Sequence, residues 1–116
     1  MTNKWLKDYY LVFNKRYFGN KLPKDAQIIW STKTTRKRAA QLLVWKDTLE
    51  ETEIALNPML KKLGAECRAL QSLLHEMCHL YLRVLGKPVS VYTGHGRLWN
   101  LEMKRLGACG AFKTIW

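Results

Sequence analysis

A chain of 116 residues has room for one domain, expected over residues 1–116, and 47% hydrophobic residues with five tryptophans exclude the poorly hydrophobic class of disordered chains. A formal net charge of +11, from 20 Lys and Arg against nine acids, exceeds what solubility requires. It favours a polyanionic partner such as nucleic acid over the competing reading of a merely solvated basic surface.

The first element is a helix from Asn3 to Phe18, in which Trp5, Tyr9, Val12, Phe13 and Tyr17 recur at three- and four-residue spacing as the expected apolar face. Thr2 or Asn3 is placed to cap it, and Gly19-Asn20 to end it. The period then changes. Gln27–Ser31, Ala40–Lys46 and Glu53–Leu56 read as three strands of an antiparallel sheet, the last ended by Asn57-Pro58. The tip joining the first two strands carries Lys33, Arg36, Lys37 and Arg38, which are the first candidates for DNA contact.

A second helix, Ala65 to Leu85, carries a wide apolar stripe of Leu70, Leu73, Leu74, Met77, Cys78, Tyr81 and Leu85, and is expected to be the central one. Cys78 falls on that stripe as a small core residue. After Gly86-Lys87-Pro88, a loop leads into a third helix, His95 to Leu106, closed by Gly107. The fold class is therefore α+β, a single compact domain: N-terminal helix, three-stranded antiparallel sheet, central helix and C-terminal helix. No membrane span is expected, because His75, Glu76, His79 and Arg83 interrupt the most apolar stretch. The N-terminus lacks the apolar run of a signal peptide. Cys67, Cys78 and Cys109 form no CxxC pair and no even set, which makes a reduced, cytoplasmic location the expectation.

Inside the second helix stands His75-Glu76-Met77-Cys78-His79, an H-E-x-x-H motif. Residues four apart lie on one helical face, about 6 Å apart along the axis, so both imidazoles can converge on one Zn2+. Glu76 is one residue on, within reach of a metal-bound water whose pKa zinc lowers toward about 7, and it is the candidate catalytic base. At this chain's His and Glu content the motif arises by chance with a probability of about 0.4%, low enough to prefer a metal site to two histidines satisfied inside the bundle. A third ligand is needed. His95 is the remaining histidine, in Gly94-His95-Gly96, where the glycines permit a tight approach; Glu102 on the next helix is the competing ligand. Tyr81, Tyr92 and Arg97 are candidates for stabilising the oxyanion.

The sequence also resembles the SprT-like domain of the SprT and Spartan metalloproteases over nearly its whole length. The pieces carrying the likeness are Phe13-Asn14-Lys15-Arg16-Tyr17-Phe18 with Lys21-Leu22-Pro23, Ile29-Trp30-Ser31, Ile54-Ala55-Leu56-Asn57-Pro58, Leu73-Leu74-His75-Glu76-Met77-Cys78-His79, and Gly94-His95-Gly96 followed by Trp99. The resemblance implies a helix–sheet–helix fold, zinc on His75, His79 and His95, Glu76 as acid–base residue, and proteolysis of DNA-bound or DNA-crosslinked proteins. Many relatives carry a C-terminal four-cysteine zinc ribbon; here only Cys109 follows the core, and that module is not expected. Two other functions compete: a zinc protease with one protein target such as a repressor, and a non-proteolytic nucleic-acid-binding module with structural zinc. Glu76 argues against the last, since a purely structural site has no use for an acid beside an open coordination position.

Overall fold

A computed structural model describes residues 2–31, 40–45, 51–61, 65–85 and 97–108; the side chains of residues 40–45, 51, 97–99 and 108 lie outside that description. The elements in chain order are α1 (Asn3–Tyr17), β1 (Gln27–Trp30), β2 (Ala40–Trp45), β3 (Glu51–Leu56), a 3-10 turn (Pro58–Lys61), α2 (Glu66–Val84) and α3 (Arg97–Ala108). The α+β class agrees with the sequence reading, and so does every element, the short 3-10 turn excepted.

α1 starts where Thr2 Oγ1 accepts a hydrogen bond from the Trp5 N–H at 3.1 Å, which satisfies one of the first-turn donors. Asn3 does something else: its side-chain oxygen accepts from the Trp30 N–H at 3.0 Å and ties the helix start to the end of β1. Gly19 and Asn20 both take positive φ, 58° and 60°, and turn the chain back under the helix. The returning loop is latched by three inward side chains of α1. Lys7 Nζ donates to the carbonyls of Lys24 and Ala26, Tyr10 Oη to that of Pro23 at 2.6 Å, and the Asn14 amide both donates to and accepts from the Leu22 backbone at 3.0 and 3.1 Å.

That latch corrects the face assigned to α1. The buried residues are Leu6, Tyr10, Phe13, Asn14 and Tyr17. Tyr9 and Val12, expected inside, are 37% and 47% exposed. Trp5, Tyr9, Phe13 and Tyr17 instead form an aromatic stair along one flank, with successive ring centroids 4.9, 5.8 and 5.9 Å apart.

The sheet is mixed, in the order β1-β3-β2, and not antiparallel throughout. β3 is central, parallel to β1 (Ile28 opposite Ile54, Trp30 opposite Leu56) and antiparallel to β2 (Ala40 opposite Leu56, Leu42 opposite Ile54). Consecutive burial of Ile54, Ala55 and Leu56 marks a strand covered on both faces, which suits the middle of a sheet. β1 and β2 are therefore not hairpin partners. The chain leaves β1 and re-enters β2 on either side of Leu56, and residues 32–39, with Lys33, Arg36, Lys37 and Arg38, lie outside the described residues.

One core joins these layers. Leu6, Tyr10 and Phe13 of α1, Ile28, Ile54 and Leu56 of the sheet, Leu70, Leu73, Leu74 and Met77 of α2 and Leu106 of α3 belong to a single buried cluster. α2 is its centre, as expected, with Leu80 and Leu82 also buried, while Tyr81 is half-buried and Leu85 is 40% exposed. α3 continues past the expected stop: Gly107 is inside the helix, which ends at Ala108. Among the described residues no helix is long and apolar enough to cross a membrane.

Candidate metal centre

α2 has two unlike sides. At 100° per residue, Ala69, Leu70, Leu73, Leu74, Met77, Cys78 and Leu80 cover one broad sector, all of them buried. The remaining sector holds Ser72, His75, Glu76 and His79, all half-buried, with Arg68 and Arg83 exposed at its ends. His75 and His79 differ by about 40° around the axis, and Glu76 lies about 60° beyond His79. Two imidazoles and a carboxylate thus share an arc of about 100° on a helix whose other side is fixed in the core. α2 packs on β2, β3 and α3, so this arc is carried by a helix held from several sides.

The other titratable groups nearby have different occupations. Cys78 is fully buried, with its Sγ 3.3 Å from Met103 Sδ of α3. Burial first, then the negative charges of Glu102 and Glu76, push its thiol well above the ordinary range against the opposing charge of Arg105. A protonated, enclosed thiol is neither a ligand nor a nucleophile, which agrees with the core role read from its position. Glu102, the competing third ligand, gives its Oε2 to Arg105, accepting from Nε at 2.9 Å and pairing with the terminal nitrogen at 2.9 Å.

Arg105 was not singled out by sequence reasoning. Besides Glu102, its other terminal nitrogen donates to the Tyr17 carbonyl at 2.8 Å, across 88 residues of chain. Its guanidinium carbon lies 5.5 Å from the ring centroid of Phe18 and 5.4 Å from that of Tyr81, two rings that themselves meet edge to face at 5.2 Å. The available signal was Glu102 three residues before Arg105, a spacing at which helical side chains pair. Tyr81, a candidate for oxyanion stabilisation, has its ring engaged in this cluster.

His95 and Tyr92 lie outside the described residues, as does the side chain of Arg97. Among the described residues no group of three or more His, Cys, Asp and Glu could hold a metal ion. α2 brings His75, Glu76 and His79 together on one arc.

No curated protein matches the chain. The family model described as SprT-like family matches residues 6–114, a span that takes in α2 with His75, Glu76 and His79, the Gly94-His95-Gly96 segment and α3. The chain belongs to the SprT-like family, which is of metallopeptidase type.

Proposed function

We propose that this chain is a zinc-dependent metalloprotease in which His75, His79 and His95 hold the metal and Glu76 is the acid–base residue. Its proposed substrates are proteins bound or crosslinked to DNA. The observation that carries the reading is the half-buried arc of His75, His79 and Glu76 on the central helix, in a chain of metallopeptidase type.

The donor chemistry fits zinc. Two imidazole donors are proposed from α2; Glu102 is already paired with Arg105 and the Cys78 thiol is enclosed in the core, so the third donor is proposed from outside the described residues. The sequence holds one further histidine, His95. Its position in the chain supports this role. α3 touches α2 through Cys78–Met103 and Tyr81–Arg105, within a few residues of His79. His95 precedes Arg97 by two residues, a reach of about 7 Å at most.

When bound there, zinc supplies the Lewis acidity that lets water ionise near neutral pH. Glu76 takes the proton released as water attacks the peptide carbonyl and returns it to the leaving nitrogen. The helix backbone fixes Glu76 beside His79, and the buried side of α2 keeps that arrangement from drifting. The net charge of +11 supports DNA association, and Lys33, Arg36, Lys37 and Arg38 are the proposed contacts.

Metal analysis tests the ligand set. Purified protein should carry about one zinc per chain, and His95→Ala should lose it while keeping its helical circular dichroism. Full zinc in His95→Ala would contradict the assignment. Cleavage of a DNA-binding protein should rise when DNA is added; equal cleavage without DNA would favour a protease with a single protein target.

A further inference from the structure

We propose that the outward face of α1 binds single-stranded DNA, with bases stacking on Trp5 and Tyr9 and phosphates held by Lys15 and Arg16. This rests on the DNA association inferred above and adds a surface to it. At 100° per residue, Trp5, Tyr9, Val12 and Arg16 share an arc of about 60°, which runs about 16 Å along the axis and is separate from the buried side of the helix. Tyr9, Val12 and Arg16 are exposed, and Trp5 is half-buried.

A single strand offers flat base faces and regularly spaced phosphates together, and this strip answers both. Tyr9 is held from two sides, by Trp5 edge-on at 4.9 Å between centroids and by the buried Phe13 at 5.8 Å, yet 37% of it stays exposed. A ring fixed in this way loses little freedom when a base stacks on it. The cations are equally available. Lys15 and Arg16 pair with no acid among the described residues, and Asp8, the acid of α1, meets Lys4 at 3.6 Å.

A lipid surface fits less well. Leu11, the other exposed apolar residue of α1, lies about 100° from Val12, with Asp8 and Lys15 between them. The apolar strip is thus narrow and bordered by charge, whereas an interfacial helix needs a broad apolar face to bury. Duplex DNA also fits less well, because its bases stack on one another and leave no open face for Tyr9.

The test is fluorescence anisotropy of a labelled oligothymidylate, and of a duplex of equal length, titrated with the full-length chain at several salt concentrations. The oligothymidylate should bind more tightly than the duplex; tighter duplex binding would overturn the proposal. Tyr9→Ala should weaken oligothymidylate binding about 5–150-fold, and Tyr9→Phe should restore it, with helical circular dichroism unchanged in both. Arg16→Gln should lower the logarithmic salt slope by about 0.7, the value for one phosphate on a single strand. Binding left intact by both Tyr9→Ala and Arg16→Gln would overturn the α1 surface while leaving DNA association standing. Equal losses in Tyr9→Ala and Tyr9→Phe would overturn it too, since the ring would then not be what the base meets. A wild type that binds neither oligonucleotide would overturn DNA association itself, and the proposal with it.

Discussion

Tyr10 is buried in the core with its hydroxyl donating to the Pro23 carbonyl, Lys7 over its ring at 5.3 Å and Asp25 close enough to act on it. Burial, then the Asp25 charge, hold its pKa above the ordinary value, so the folded state keeps a proton that the unfolded chain releases near pH 10. A raised folded pKa contributes stability that is complete below about pH 10 and is lost as pH climbs beyond it. Urea midpoints measured from pH 8 to 11 should therefore fall more steeply for wild type than for Tyr10→Phe; parallel curves would remove Tyr10 from the account. Asn14 is the same kind of residue. In the sequence it is one residue of a segment that carries the family likeness, but apolar patterning places a polar residue outside, and only the returning Leu22 backbone explains why it is fully buried. His75, Glu76 and His79 were legible because one helix sets all three. Arg105 was not, because its partners Tyr17, Phe18 and Tyr81 come from distant parts of the chain.

At the scale of elements, the extent of α1 and α2 was readable to within a residue or so because the 3.6-residue period is local. The inward face of α1 was not, because Trp5, Tyr9 and Val12 supply enough apolar surface on the flank to shift the apparent stripe. The distinction has a measurable consequence. Leu6→Ala, at a fully buried site, should cost about 2–5 kcal/mol, while Val12→Ala should cost no more than about 0.5 kcal/mol by chemical denaturation. Similar costs at both positions would restore the stripe read from sequence. The sheet order was harder still. Strand pairing is non-local, and sequential strands neighbour one another often enough that β1 and β2 read as a hairpin. The uninterrupted Ile54-Ala55-Leu56 run was the one local sign that β3 is central.

For the whole molecule, α1, the sheet, α2 and α3 share one core, and α2 presents its polar arc from the middle of it. The central claim is that this arc performs hydrolysis, with Glu76 moving the proton and not binding the metal. The most direct measurement is the cleavage rate of a DNA-bound protein by wild type and by Glu76→Gln, with zinc content determined on the same preparations. Glutamine keeps the size and most of the hydrogen bonding while removing the base. The account predicts unchanged zinc and folding, and a fall in cleavage of about 10²–10⁴-fold or more. A Glu76→Gln variant that cleaves as fast as wild type would contradict it, and so would a zinc-loaded wild type that cleaves no protein with or without DNA.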